Sequence, residues 1–224
     1  MTPLFDLRAI FVNCHITFSK KKTLPLNHIW ATHFHAIPEL CQQYILQFQR
    51  YEDRLDRLVG RLLLRDALIE QGFSDDCLER IILDENSRPY INKNIDFNIS
   101  HSGDIVICAL SENCRIGIDI ERITPVNSAD YHQFFSSHQL HEIAAAKDPN
   151  HNFFDSWTIR ESLLKADGRG LTLPLQNFNP QLNRCTIDNC NYYYQKLDIA
   201  PKYSCHISSS KQIDNLTLSE KQLS

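Results

Sequence analysis

Hydrophobic and polar positions change period several times along the chain, and each change marks an element. Residues 9–18 form an apolar stretch that predicts a first strand. Residues 19–37 begin basic and turn-rich, with His33 and His35 spaced to share one strand face. From 38 to about 71 the period turns helical, with Leu55, Leu58, Leu62 and Leu68 placed for one buried stripe. A strand is predicted at 79–84, a turn at 85–89, and a short extended piece over PYI. Segments 96–100 and 105–110 read as strands around the polar turn HSGD, and 115–121 as another. Residues 131–147 are helical in pattern, and so are 157–171, which close on Gly168 and Gly170. Three short alternating strands follow in RCTID, NYYYQKL and YSCHIS, and the polar last ten residues read as a loose tail.

Composition narrows this picture. Hydrophobic content of 42% and charged content of 22% over 224 residues suit a globular α/β (α+β) chain. A net charge of −4 offers no whole-chain attraction to nucleic acid or to an anionic membrane, so an anion site must be a local cluster of cations. The eight cysteines form no C-x-x-C pair, and no apolar run approaches the roughly 20 residues that span a bilayer. Asp6 and Arg8 interrupt the apolar N-terminus, so a secretory leader is not expected and a reducing cytoplasm is.

Four stretches carry chemistry. Glu161 and Lys165 lie four apart on one helical face. In GIDIE, Asp119 and Glu121 share one side of a strand while Ile118 and Ile120 take the other. Two carboxylates so placed are either well solvated or bridged by a cation, and oxygen ligands suit Mg²⁺. In FNISHSG, hydroxyls, an imidazole and free N–H groups at a strand-to-turn junction can take phosphate oxygens. Ser100 and His101 point to opposite faces, which weakens a nucleophile-and-base reading of the pair. Arg54, Arg57, Arg61 and Arg65 form a basic stripe, either a solvated face paired with Glu52, Asp53, Asp56 and Asp66 or part of an anion site.

Taken in order, FNISHSG, GIDIE, FFSS and WTIRESLLKADGRGL resemble the 4′-phosphopantetheinyl transferases of the surfactin-synthetase type, together with GRLLLR at 60–65, SRPYI at 87–91 and Pro174–Leu175. The resemblance covers nearly the whole chain. It implies two similar α/β halves about a pseudo-two-fold axis, roughly 1–108 and 109–224, with coenzyme A between them. It implies transfer of phosphopantetheine from coenzyme A to a serine of an apo acyl or peptidyl carrier protein, with release of adenosine 3′,5′-bisphosphate. Asp119, Glu121 and Glu161 match the family's Mg²⁺ positions, where Mn²⁺ could substitute. Lys165 matches the lysine at the diphosphate, and Ser100 and His101 the pair on the coenzyme A phosphates. Ser87, Arg88 and Pro89 take the place of the Gly-Lys-Pro turn beside the adenine, and Arg57 falls at a 3′-phosphate contact. Glu161 is the candidate base. A monomer is expected, without nucleic-acid or membrane partners.

Three positions depart from the family's pattern. Cys41 and Tyr44 stand where some members have lysines, Gln139 where a glutamate is usual, and Arg160 in place of a lysine. They leave open a non-catalytic relative that binds coenzyme A or a carrier. A metal-dependent phosphoesterase built on the same three carboxylates is a further alternative.

Overall fold

The computed structural model describes residues 12–92 and 94–223. Strand β1 is Asn13–Lys20; positions 9–11 of the expected strand lie outside the described residues. The expected helix over 38–71 is two helices, preceded by one that the pattern does not announce. These are α1 (Leu26–His33), α2 (Glu39–Leu46) and α3 (Tyr51–Glu70). Only Ile29 of α1 is buried, so a single apolar position gave no period to read. His33 ends α1 and His35 lies in a 3₁₀ turn, so the two share no strand face. The leucine stripe of α3 is buried as expected, and its arginines are not a solvated face: Arg61 is 9% exposed and stacks toward Tyr44 and Phe97.

The expected strand at 79–84 is reduced to β2 (Ile82–Leu83), which pairs with β3 (Pro89–Tyr90); its first two positions end a 3₁₀ turn, Asp75–Arg80. Asp84 Oδ1 accepts the backbone N–H groups of Asn86 and Arg88, each at 2.9 Å, and so closes the turn between them. The strands β4 (Ile95–Ser102), β5 (Ile105–Glu112) and β6 (Ile116–Arg122) stand where alternation put them.

The expected helix over 131–147 is only α4 (Ser137–Ala145). Ser136 caps it through the N–H of Gln139, and the Gln139 side chain returns to the Ser136 N–H at 3.0 Å. Residues 131–135 instead pack their rings on Phe153 and Trp157. Helix α5 is Pro149–Asp167, two turns longer at its start than the pattern over 157–171 suggests. Asp148 caps it and Gly168, at φ 92, ends it. β7 (Arg184–Ile187), β8 (Cys190–Lys196) and β9 (Tyr203–Ser209) follow. The expected loose tail is largely a strand, β10 (Asn215–Glu220), parallel to β1.

Two four-stranded sheets result, ordered β10-β1-β5-β4 and β6-β9-β8-β7. The first buries Val106, Cys108 and Leu110 against α3 on one face. Its other face, with Ile16, Ile105 and Ile107, meets Ile118, Ile120 and Ile207 of the second sheet. Helix α5 covers the second sheet's remaining face. The chain crosses between sheets at 113–115, and β5 runs through position 108. Among the described residues, no helix is long and apolar enough to cross a membrane.

The two sheets join along β4 and β6 by an unusual ladder. Asp96, Asn98, Ser100 and Ser102, alternate residues of β4, accept the backbone N–H groups of Ile116, Ile118, Ile120 and Arg122 at 2.8, 2.9, 3.4 and 3.0 Å. Side chains thus do for these edges what carbonyls do inside a sheet. Phe97 and Ile99 point the other way, to the core under α3.

Candidate active site

The seam carries a compact charged group. Gly117 of β6 lets α5 lie directly on the strand: a Cβ there would stand 2.1 Å from the Ser162 carbonyl oxygen and 2.4 Å from the Ala166 nitrogen. That approach sets Glu161 and Lys165 over Asp119 and Glu121. Lys165 Nζ donates to Asp119 Oδ1 at 2.6 Å, to Ser100 Oγ at 3.1 Å and to the Ile118 carbonyl at 3.1 Å. Ser100 Oγ in turn donates to Asp119 Oδ1 at 3.0 Å. Asp119 is 4% exposed, and its second oxygen, Oδ2, is buried with no hydrogen-bond partner.

Glu121 is held by Ser102 Oγ, which donates to Oε2 at 2.7 Å. Burial, then the charge of Asp119, pushes its carboxyl up to about 7. Burial and Asp119 also raise Glu161. Three carboxylates therefore face one ammonium, and the surplus negative charge asks for a further cation. Among the described residues no group of three or more His, Cys, Asp or Glu side chains is arranged to hold a metal ion by itself. Mg²⁺ does not require such a group, since it takes one or two carboxylates and fills its other positions with water and phosphate oxygens. The orphaned Asp119 Oδ2 and the protonation-prone Glu121 and Glu161 fit such an ion.

Other expected residues separate from this group. His101 points to the opposite face of β4 from Ser100, toward α3. There Arg57 Nη1 lies 3.0 Å from His101 Nε2, and Asp56 Oδ2 lies 3.3 Å from Nδ1. Arg57 stacks on Phe48, 3.4 Å from the ring centre. Arg88 is not a free cation: its guanidinium grips both oxygens of Asp96, with Nη2 2.7 Å from Oδ2, and donates to the carbonyls of Ile116 at 2.7 Å and Lys165 at 3.1 Å. It ties the 84–88 turn to β4, β6 and the end of α5. Ser87 is exposed at φ 60, and Pro89 is half-buried at the start of β3.

Two hollows share Arg88 as a wall. One, about 180 Å³, is lined by Asn98, Glu161, Lys165 and Gly168; the other, about 350 Å³, by Asp84, Tyr90, Asn113 and Arg115. A larger hollow of about 700 Å³, beside Gln181, Arg184, Tyr193 and Gln195, touches none of the candidate residues.

The departures acquire structural explanations. Cys41 is buried in the core, and Arg61 lies 5.3 Å from the Tyr44 ring centre. Gln139 completes the α4 cap while its Nε2 donates to the Phe178 carbonyl at 3.3 Å, which a glutamate could not do. Arg160 is buried over Phe135 with an unpartnered Nε, and burial pulls it down to about 10. Asp96 and Asn98 escaped the sequence reading as seam residues. The polar alternation D-x-N-x-S-x-S in a buried stretch was their signal.

A family model described as the 4′-phosphopantetheinyl transferase superfamily matches residues 115–218, and one described as 4′-phosphopantetheinyl transferase, N-terminal, matches 22–113. The chain is 36% identical to the 4′-phosphopantetheinyl transferase gsp of Aneurinibacillus migulanus over 141 residues, 61% of this chain and 58% of that one. It is 36% identical to the 4′-phosphopantetheinyl transferase Sfp of Bacillus subtilis (strain 168) over 143 residues, 62% of this chain and 63% of that one. A human L-aminoadipate-semialdehyde dehydrogenase-phosphopantetheinyl transferase is 27% identical over 190 residues, 76% of this chain and 61% of its own length. The matched stretches thus span about six-tenths of the length of these relatives. With two family models dividing 22–218 between them in their natural order, the chain belongs to the 4′-phosphopantetheinyl transferase superfamily.

Proposed function

We propose that this chain transfers 4′-phosphopantetheine from coenzyme A to a serine hydroxyl of an apo acyl or peptidyl carrier protein, as a cytoplasmic monomer. The observation that carries the reading is the Lys165–Asp119–Ser100 knot with Glu121 and Glu161 beside it. A diphosphate brings the negative oxygens that Lys165 can meet. Mg²⁺ or Mn²⁺, held by Asp119, Glu121 and Glu161, would act as a Lewis acid on that diphosphate.

The chemistry divides among the residues as follows. The serine oxygen forms a bond to the phosphorus next to pantetheine, and the bond from that phosphorus to the bridging oxygen breaks. The leaving adenosine 3′,5′-bisphosphate keeps the electron pair. Glu161 takes the serine proton, and a positioned base contributes roughly 10²–10⁴ in rate. Lys165 opposes the charge that grows on the diphosphate. His101 and Arg57 serve the 3′-phosphate. Arg88, with four of its five N–H groups engaged, shapes the wall between the two hollows rather than binding phosphate, and Ser87 and Pro89 border the adenine. The halves on either side of positions 108–115 would enclose the substrate at the seam.

The test is carrier-dependent release of adenosine 3′,5′-bisphosphate, followed by chromatography. Release that requires the apo carrier and its serine supports transfer. Release at the same rate without carrier favours a phosphoesterase.

A further inference from the structure

Asp56 is buried, only 6% exposed, and the reaction above gives it no task. It stands behind His101, with one oxygen 3.3 Å from Nδ1 and the other paired with the ammonium of Lys21. On the far side of the ring, Nε2 lies 3.0 Å from Arg57 Nη1. That guanidinium is flat on Phe48 and also reaches the Asp53 carbonyl at 3.3 Å. A guanidinium only donates, so Nε2 accepts from Arg57 and the ring proton sits on Nδ1, facing Asp56. Nε2 is then the nitrogen that gains or loses a proton, and it is the one beside Arg57.

The charges around the ring are unequal. Arg57 and Asp56 come from α3, Lys21 from the turn after β1, and Lys165 from α5. Burial and the three cations hold the imidazole below its ordinary range, and Asp56 alone pulls it up. A bound anion would reverse that balance, because it offsets the cations that oppose the second proton.

We propose that Asp56 is a positioning residue that turns His101 Nε2 toward Arg57 and makes the two a proton-coupled receptor for a dianionic phosphomonoester. Resting on the coenzyme A reading, the ligand group is the 3′-phosphate, which distinguishes coenzyme A from its dephospho form. On binding, Arg57 turns the N–H that Nε2 accepts onto the phosphate and one proton passes from solvent to Nε2, so the phosphate meets two charged donors, and Asp56 balances the imidazolium. Charge-assisted donors of this kind bind about twice as strongly as neutral ones. Discrimination between the two forms of coenzyme A therefore weakens as pH rises.

The experiment is calorimetric titration of the full chain with coenzyme A and with dephospho-coenzyme A, from pH 6 to 8.5. Each is run in two buffers of different ionisation enthalpy, which counts the protons taken up. The wild type is expected to prefer coenzyme A, and to take up a fraction of a proton with it that dephospho-coenzyme A does not elicit. In Asp56→Asn the uptake disappears and the preference falls about tenfold, the change that 1.4 kcal/mol brings, with dephospho-coenzyme A affinity unchanged. His101→Gln, at a more accessible position, loses the uptake whether or not Asp56→Asn folds. Uptake and preference that persist in either variant overturn the proposal, as does a wild type without preference. Failure to bind either compound overturns the coenzyme A reading itself, and this proposal with it.

Discussion

Gly117 and Ser162 are in backbone contact: a Cβ on the glycine would lie 2.1 Å from the serine carbonyl oxygen. The strand that bears Asp119 and Glu121 and the helix that bears Glu161 and Lys165 can share a site only because that Cβ is missing. Backbone cannot swing aside as a flexible side chain can, so Gly117→Ala must lift α5 or shift β6. Overpacking of this kind costs typically 1–3 kcal/mol. Thermal unfolding of the variant should show a loss of at least that size, and the Lys165–Asp119 contact should open. An unchanged melting temperature would contradict this packing.

Glu121 gives a pH test of the carboxylate cluster. Its folded carboxyl titrates at about 7 against an ordinary 4.5. Between those values the folded state binds more protons than the unfolded one, so this group's contribution to stability falls as pH rises through the window. Without divalent cation, Glu121→Gln should therefore be more stable than the wild type at pH 8, with the gap closing below pH 4.5. Added Mg²⁺ should stabilise the wild type more than the variant. Denaturant titration at the two pH values reads both effects.

His206 acts in the opposite direction. It pairs in register with Asp119 on the next strand, and its Nδ1 lies 2.8 Å from Thr158 Oγ1 beneath α5. Burial pulls its imidazole down to about 4 from an ordinary 6.5. The unfolded chain binds the extra proton first, so stability is lost as pH falls from 6.5 toward 4. His206→Asn should remove that slope. Comparing urea midpoints at pH 7 and pH 5 for the two proteins checks it; equal slopes would show that His206 charges freely in the fold.

Arg88 separates holding the fold from holding a substrate. With Asp96 it forms a buried ion pair, and the same guanidinium reaches α5 and β6. Arg88→Ala leaves Asp96 buried without its partner, a loss of about 3–5 kcal/mol. The expected result is a large drop in melting temperature. A variant that keeps its stability and loses only coenzyme A affinity would return Arg88 to the role its place in SRPYI suggested.

What was legible in the sequence were the positions where one residue's geometry suffices. Asp119 and Glu121 share a strand face and Glu161 and Lys165 a helix face, so each pair could be read without a partner in view. Partners from distant strands could not. Nothing near Arg88 in the chain says that Asp96 occupies it, or that Lys21 and His101 converge on Asp56. The strand β10 escaped for a related reason: its pairing with β1 is through backbone, its residues are mostly exposed, and its apolar face is only Leu216 and Leu218. The break between α2 and α3 carries neither proline nor glycine, so the helical period runs across it.

The most direct test of the account is the intact mass of an apo carrier protein after incubation with this chain, coenzyme A and Mg²⁺, with Glu161→Gln in parallel. A gain of one phosphopantetheine is expected, abolished by a chelator and by Glu161→Gln while that variant keeps its fold. No gain on any of several unrelated carriers, with coenzyme A still bound, would contradict it.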